Sequence, residues 1–313
     1  MSLAPKRIVL GPQRPQSRLA DGVAAAALPD GPIAVISAGW QEAEGDIDDV
    51  QQHVGRPVRD LKLYQRAERI FAAHADLQQA YRVRQERLIE RQRLYRMRLR
   101  FLMDAARKVM RSDAEAALLA TEKRHAIAQL RALDRHHLNC VAAIHKEFAE
   151  QFGAHSYAPL ADDVTEIRRT LDDCQGVVIT GGNVIVLLNR LMLFGLDRLL
   201  QDRQLVAWSA GAMVLGRQVV LFHDRMPEGR RDAELLGAGL GLLPENVFLP
   251  DARQRLRSGD RLRMSLLGYR IAPASCIMLN HDSLLQFAGS DIVAAEETRR
   301  ITRNGGSDLV TPA

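Results

Sequence analysis

The sequence predicts an α/β protein: a doubly wound, mostly parallel sheet with a long inserted α-helical hairpin. Three observations carry that expectation. First, short apolar runs closed by glycine or proline alternate with helix-like stretches, as at Arg7 to Leu10, Ile33 to Ser37 and Gly176 to Thr180. Strands buried on both faces read this way, and their alternation with helices gives a parallel sheet. Second, residues 206–216, VAWSAGAMVLG, set Ser209 among very small residues between an apolar strand and a helix-forming run. That is the composition of a nucleophile elbow, a bend so tight that only small side chains fit two residues to either side, with the serine projecting at the carboxyl edge of the sheet. Ala207 and Gly211 take those two places, so the usual G-x-S-x-G form is met in size but not in letter. Taken alone, the pentapeptide is equally compatible with a buried turn capped by a serine. Third, from Tyr64 to Phe152 there is no proline, and Arg, Gln, Glu, Ala and Leu, all good helix formers, dominate.

Composition bounds the class. A chain of 313 residues with 47% hydrophobic and 26% charged residues can bury a sizeable core, and its formal charge of +5 conceals a concentration of arginine in the middle. Cys140, Cys174 and Cys276 are widely spaced and form no metal-like pattern. They read as small core residues in a reducing compartment, which argues against structural zinc. The apolar Ile8 to Leu10 runs straight into Gly-Pro, too short for a signal peptide. The most apolar region, residues 176–196, is broken by Gly181-Gly182-Asn183 and Arg190, so strand, turn and helix suit it better than a membrane span. A cytoplasmic protein with no cofactor and no metal is expected.

The α/β body is expected at 1–63 and 153–303, the hairpin at 64–152, and a loose tail at 304–313. Trp40 closes the second strand at the carboxyl edge of the sheet, where it either lines a pocket or packs as a surface tryptophan. In the hairpin, Tyr81, Leu88, Tyr95, Leu102 and Val109 recur every seven residues, a coiled-coil-like seam. Ser112 and Glu115 stand at capping-box spacing where the chain turns back. Ile127, Leu130, Val141, Ile144 and Phe148 line the second arm. Arg82, Arg84, Arg87, Arg91, Arg93, Arg96, Arg98 and Arg100 stud the first arm. Nucleic-acid binding is one account of them, but the interleaved Glu86 and Glu90 favour a solvated or partner-facing surface. Apolar residues left over on a two-helix protrusion predict a homodimer or another protein partner. His125, His136, His137 and His145 belong to the hairpin, with spacings that do not make a metal pair.

Beyond the hairpin, helices are expected at Asp162 to Leu171, Val184 to Leu193 and Leu196 to Gln201. After the elbow come a strand at Val219 to Phe222, a polar loop at His223 to Asp232, a glycine-rich stretch and a strand at Val247 to Leu249. An arginine-rich helix is expected from about Arg253 to Gly268, with a closing pair of strands at Cys276 to Leu279 and Leu284 to Ala288.

Three stretches together, GVVITGGN at 176–183, VAWSAGAMVLG at 206–216 and GLGLLPENVFLPDARQRLR at 239–257, resemble the serine peptidase family of dipeptidase E and cyanophycinase. That family has the class I glutamine amidotransferase-like fold. The resemblance covers 160–290 well and 1–40 loosely, and leaves the hairpin outside. It implies that Ser209 is the nucleophile and that backbone N–H groups of Gly182 and Ala210 form an oxyanion hole. Asn183, Arg255 and Arg257 would hold the substrate, with the bond cleaved an amide or isopeptide next to an acidic residue in a small peptide or amino-acid derivative. The chain departs from the family where the catalytic histidine belongs. That position falls on Asp251, and an ordinary carboxylate is too weak a base to activate a serine. The family's later acidic residue is also absent from the stretch Pro273 to Met278. His223 and His281 are candidates for a relocated base, His223 being favoured because its loop follows the nucleophile helix. Each precedes an aspartate that, as an adjacent residue, is not expected to bond the ring. Two readings stay open: a hydrolase using Ser209 and His223, or an inactive relative (a pseudoenzyme) that binds or assembles through its hairpin.

Overall fold

A computed structural model describes residues 4–222 and 232–312. His223 and the rest of its loop lie outside the described residues. The chain begins with β1 (Lys6–Leu10), α1 (Leu19–Ala26), β2 (Ile33–Ile36), α2 (Asp48–Val54) and β3 (Val58–Asp60). The insertion follows as α3 (Leu63–Ala73), α4 (Ala75–Arg111) and α5 (Ala116–Phe152). The body resumes with α6 (Ala161–Asp172), β4 (Val177–Ile179), α7 (Val184–Leu193), α8 (Leu196–Leu199), β5 (Leu205–Trp208), α9 (Ala210–Leu215), β6 (Gln218–Leu221) and β7 (Glu234–Ala238). It ends with β8 (Asn246–Pro250), α10 (Ala252–Arg255), α11 (Arg261–Ile271), β9 (Ser275–Leu279), β10 (Leu284–Ala288), β11 (Asp291–Glu296), β12 (Arg299–Ile301) and β13 (Ser307–Leu309).

The main sheet has seven strands in the order β11-β10-β1-β5-β4-β2-β3. The run from β1 to β3 is parallel, and β10 and β11 extend it antiparallel. Its strands β2, β4 and β5 are buried throughout and β1 is buried beyond Lys6, whereas the edge strands β3 and β11 are partly exposed; successive side chains of the central strands serve opposite faces. Ile8, Leu10, Ile33, Val35, Val178 and Val206 pack under α1 and α2, whereas Val9, Ala34, Ile36, Val177, Ile179 and Ala207 face the larger helical layer. The expected mostly parallel α/β sheet with an inserted hairpin is therefore what the chain forms. No helix among the described residues is long and apolar enough to cross a membrane.

Several expectations are corrected by long-range pairing. Cys276 to Leu279 and Leu284 to Ala288 do not pair with each other: β9 joins β8 in a four-stranded sheet, and β10 joins β1. The helix expected over Arg253 to Gly268 breaks into α10 and α11, because Asp260 caps the second by accepting from the Arg263 N–H at 3.0 Å. The tail at 304–313 is not loose along its whole length, since Ser307–Leu309 adds β13 to β12.

The hairpin turns at residues 112–115 as expected, but without the capping box: Ser112 follows the end of α4, and Glu115 precedes α5 with no side-chain cap. The hairpin also shares one core with the sheet. Leu99, Met103, Leu130 and Leu133 belong to the same buried cluster as Ile179 and Ala207. Of the sevenfold seam only Tyr95 is fully covered. The buried stripe of α4 is completed by Leu77, Leu99, Met103 and Ala106, because the helix packs against the body as well as α5. Much of the apolar surface from which a partner was expected is thus covered by the chain itself, while Ile89, Met97, Phe101 and Leu118 stay exposed. The arginines are spent largely within the chain: Arg87 meets Glu147, Arg96 meets Glu234, and Arg84 is buried. Arg270 of α11 holds Asp134 of α5 through two hydrogen bonds of 2.9 Å and the Tyr95 hydroxyl at 2.9 Å, all buried.

Glu44 joins the turn after β2 to the start of α3. Its buried carboxylate accepts from the N–H groups of Tyr64 and Gln65 at 3.0 and 2.7 Å, and burial pushes its carboxyl up to about 7. Below the ordinary carboxyl value folded and unfolded chains both keep the proton; between that value and 7 only the unfolded chain releases it, so stability falls as pH rises. Wild-type stability in urea titrations is therefore expected to fall by about 3 kcal/mol between pH 4 and pH 8. Glu44→Gln is expected to lose that fall while being less stable than wild type near pH 4, because its amide NH2 cannot accept from one of the two N–H groups.

Candidate active site

The site is built by three loops at the carboxyl edge of the parallel strands. β5 ends at Trp208 and the chain bends at Ser209, which has φ 50 and ψ −116, a conformation a non-glycine residue adopts only when its surroundings enforce it. Size is what enforces it here. A Cβ on Gly211 would lie 2.3 Å from the Ile179 carbonyl oxygen, and one on Gly181 would lie 3.1 Å from the Ser209 Cβ. The turn after β4 is locked to the turn after β2. Asn183 N–H donates to the Gly39 carbonyl at 2.7 Å, and Gly182, at φ 109, approaches so closely that a Cβ would fall 2.4 Å from the same oxygen. Only glycine meets that combination of approach and angle. The N–H of Gly182 meets no acceptor among the described residues.

Ser209 is half-buried at the meeting of two clefts. One, of about 550 Å³, is lined by Gly182, Ala210, Leu221, Asp251 and Arg255 as well as the serine. The other, of about 770 Å³, shares Gly182 and Ser209 and adds Arg14, Trp40, Asp49 and His53. Trp40 thus does both things expected of it: it lines a pocket and packs on the apolar cluster under α1 and α2.

Most of the residues singled out in the sequence converge here, with differences. Ser209, Gly182, Ala210, Asn183, Asp251 and Arg255 share one cleft. The Asn183 side chain is already committed, since its oxygen caps α7 by accepting from the N–H groups of Ile185 and Val186, and its amide donates to the Gln41 side chain at 3.1 Å. Arg255 lies over the Phe222 ring at 4.4 Å and donates to the Phe222 carbonyl at 3.4 Å; burial lowers its pKa against the pull of Asp251. Arg257 is exposed and does not line the cleft. The difference between the two arginines follows from the short helix α10, which turns Arg255 inward and ends before Arg257.

Asp251 is left-handed, at φ 56 and ψ 39, where β8 passes into α10. Burial raises its carboxyl pKa, opposed by Arg255 and His281. His281 is not part of the cleft lining. Contrary to expectation for adjacent residues, its Nε2 lies 3.1 Å from Asp282, which is possible because the pair sits in an open turn between β9 and β10. His137 is buried on Tyr95 at a ring separation of 4.1 Å, with Nε2 3.0 Å from the Leu235 carbonyl, whereas His136 is exposed, so the two do face apart. Burial raises the thiol pKa of Cys174 and pushes that of Cys276 up to about 12.

Two residues at the site were not legible in the sequence. Gln41 has φ 59 and ψ −122 and holds Asn183 in place. His53 lines the larger cleft from α2, a helix hidden by the acidic run that precedes it. No local pattern marks either.

Residues 140–293 match the peptidase family S51. The cyanophycinases of Trichormus variabilis and of a Nostoc species are 27% and 26% identical to the chain over 149 residues, which is 44% of this chain and 50% of each relative. The chain therefore matches about half the length of these curated relatives. A solved peptidase from an acI-B1 Actinobacterium aligns over 98% of both chains at 10% identity with a TM-score of 0.46.

Proposed function

For a chain that belongs, through residues 140–293, to peptidase family S51, we propose a serine hydrolase that cleaves an amide or isopeptide bond next to an acidic residue. The observation that carries this reading is the strained, half-buried Ser209 beside the glycine turn at 181–183. Ser209 Oγ would attack the carbonyl, and the N–H groups of Gly182 and Ala210 would stabilise the oxyanion. Its proton would pass to a base and then to the leaving amine, giving an acyl-enzyme that water resolves. Arg255 would hold the substrate carboxylate by a charge-assisted hydrogen bond. His223 is the base in this reading; it directly follows Phe222, whose carbonyl bonds Arg255 at the cleft.

A second reading, a catalytically silent relative, is favoured by one observation: Asp251 occupies the wall where the family histidine is expected. It would bind small acidic ligands in the cleft, or assemble through the exposed Met97, Phe101 and Leu118 of the hairpin. A fluorophosphonate probe separates the two. The hydrolase reading expects covalent labelling of wild type, none of Ser209→Ala, and labelling of His223→Ala slowed by about a hundredfold or more. Absence of labelling in folded wild type favours the silent relative.

A further inference from the structure

The inserted hairpin grips both walls of the Ser209 cleft from behind. One wall is the first turn of α7, where Val184 and Ile185 line the cleft. Farther along that helix Asn189 accepts from Arg84 of α4 at 3.2 Å, and Arg190 donates to the Tyr81 hydroxyl at 2.7 Å and to Glu68 of α3 at 2.6 Å. The other wall is β6, which brings Leu221 to the cleft and leads to Phe222, the acceptor of the Arg255 hydrogen bond. β6 is half of a two-stranded ribbon, an arrangement that is marginal without packing from outside.

β6 itself packs on β8 and α9 of the body, whereas the packing on β7 comes from the hairpin, at the residues paired with Leu221 and Val220 of β6. The register sets Leu221 against Glu234 and Val220 against Leu235. The buried Glu234 carboxylate accepts from Gln92 at 2.9 Å and Arg96 at 2.8 Å, both on α4. Leu235 donates its N–H to the Tyr95 hydroxyl at 3.3 Å, and its carbonyl meets His137 of α5. Asp232, at the start of the same segment, bonds Arg107 of α4 and Arg263 of α11. A carboxylate as buried as Glu234 is stable only with such partners, so the ribbon's position is tied to the α4 arginines.

We propose that the hairpin is a positioning device for the cleft: Gln92 and Arg96 fix β7 through Glu234, β7 fixes β6, and β6 fixes Leu221 and the carbonyl that orients Arg255. Its catalytic consequence rests on the hydrolase reading; its mechanical content does not. The test uses the full chain with Gln92→Ala and Arg96→Ala combined, and reads amide exchange by mass spectrometry together with Ser209 labelling. Exchange over residues 218–222 is expected to accelerate about tenfold while β1 and β4 keep wild-type rates. Labelling by an anionic probe is expected to slow about tenfold, more than labelling by a neutral one, since Arg255 is what moves. Reversing the pair as Arg96→Glu with Glu234→Arg is expected to restore both, which general destabilisation would not allow. Wild-type exchange at 218–222 in the alanine variant, or failure of the reversed pair to restore it, would overturn the proposal. Altered exchange in a protein whose wild type never labels would leave the positioning role standing and remove the hydrolase reading instead.

Discussion

Gly211→Ala is expected to slow fluorophosphonate labelling of Ser209 by about a hundredfold or more, the effect of displacing a nucleophile by roughly 1 Å. The added methyl would lie 2.3 Å from the Ile179 carbonyl oxygen and 2.8 Å from that of Thr180, and both are main-chain atoms at the end of a central strand. Neither can rotate away as a side chain would, so the start of α9 must lift from the sheet and carry the bend with it. Overpacking of this kind also costs about 1–3 kcal/mol of stability, which a denaturant midpoint will register even if the protein turns out to be silent. Labelling and stability both at wild-type levels would mean that the bend is looser than its contacts indicate.

Asp134→Ala is the substitution expected to destabilise the fold most. Asp134 and Arg270 have side chains only 6% and 2% exposed, and among the described residues Arg270 otherwise donates to the Tyr95 hydroxyl and the Ala233 carbonyl and feels the charge of Asp232 without a hydrogen bond to it. Removing the carboxylate strands a guanidinium that stays charged across the accessible pH range, a loss of about 3–5 kcal/mol. The loss is expected to be pH-independent between 6 and 9 for the same reason. Removing both charges, as Asp134→Leu with Arg270→Met, should recover most of it in urea titrations, because burial without either ion avoids the desolvation cost. A double variant as unstable as the single one would show that the arm is held by shape rather than by charge.

Features that depend on near neighbours were legible from the residues alone. The bend at Ser209 could be read because a tight strand-to-helix turn tolerates only residues such as Ala207 and Gly211 around it. The glycine turn at 181–182 and the hairpin's reversal near Ser112 were readable on the same local grounds. The stretches that resemble the peptidase family are of this kind too, and they bring Ser209, Gly182, Asp251 and Arg255 to one cleft.

What the residues alone determined, then, was local: a serine strained by its small neighbours, strands buried on two faces, and two long helices with a turn between them, all set by sterics and spacing within a few residues. Tertiary structure decided which strand joins which sheet, that Arg255 and not Arg257 reaches the cleft, and that Arg96 and Arg270 bind carboxylates 138 and 136 residues away. Such contacts carry no periodicity. They exist only because folding brings distant charges out of water together, where each must find a partner or cost the fold its stability.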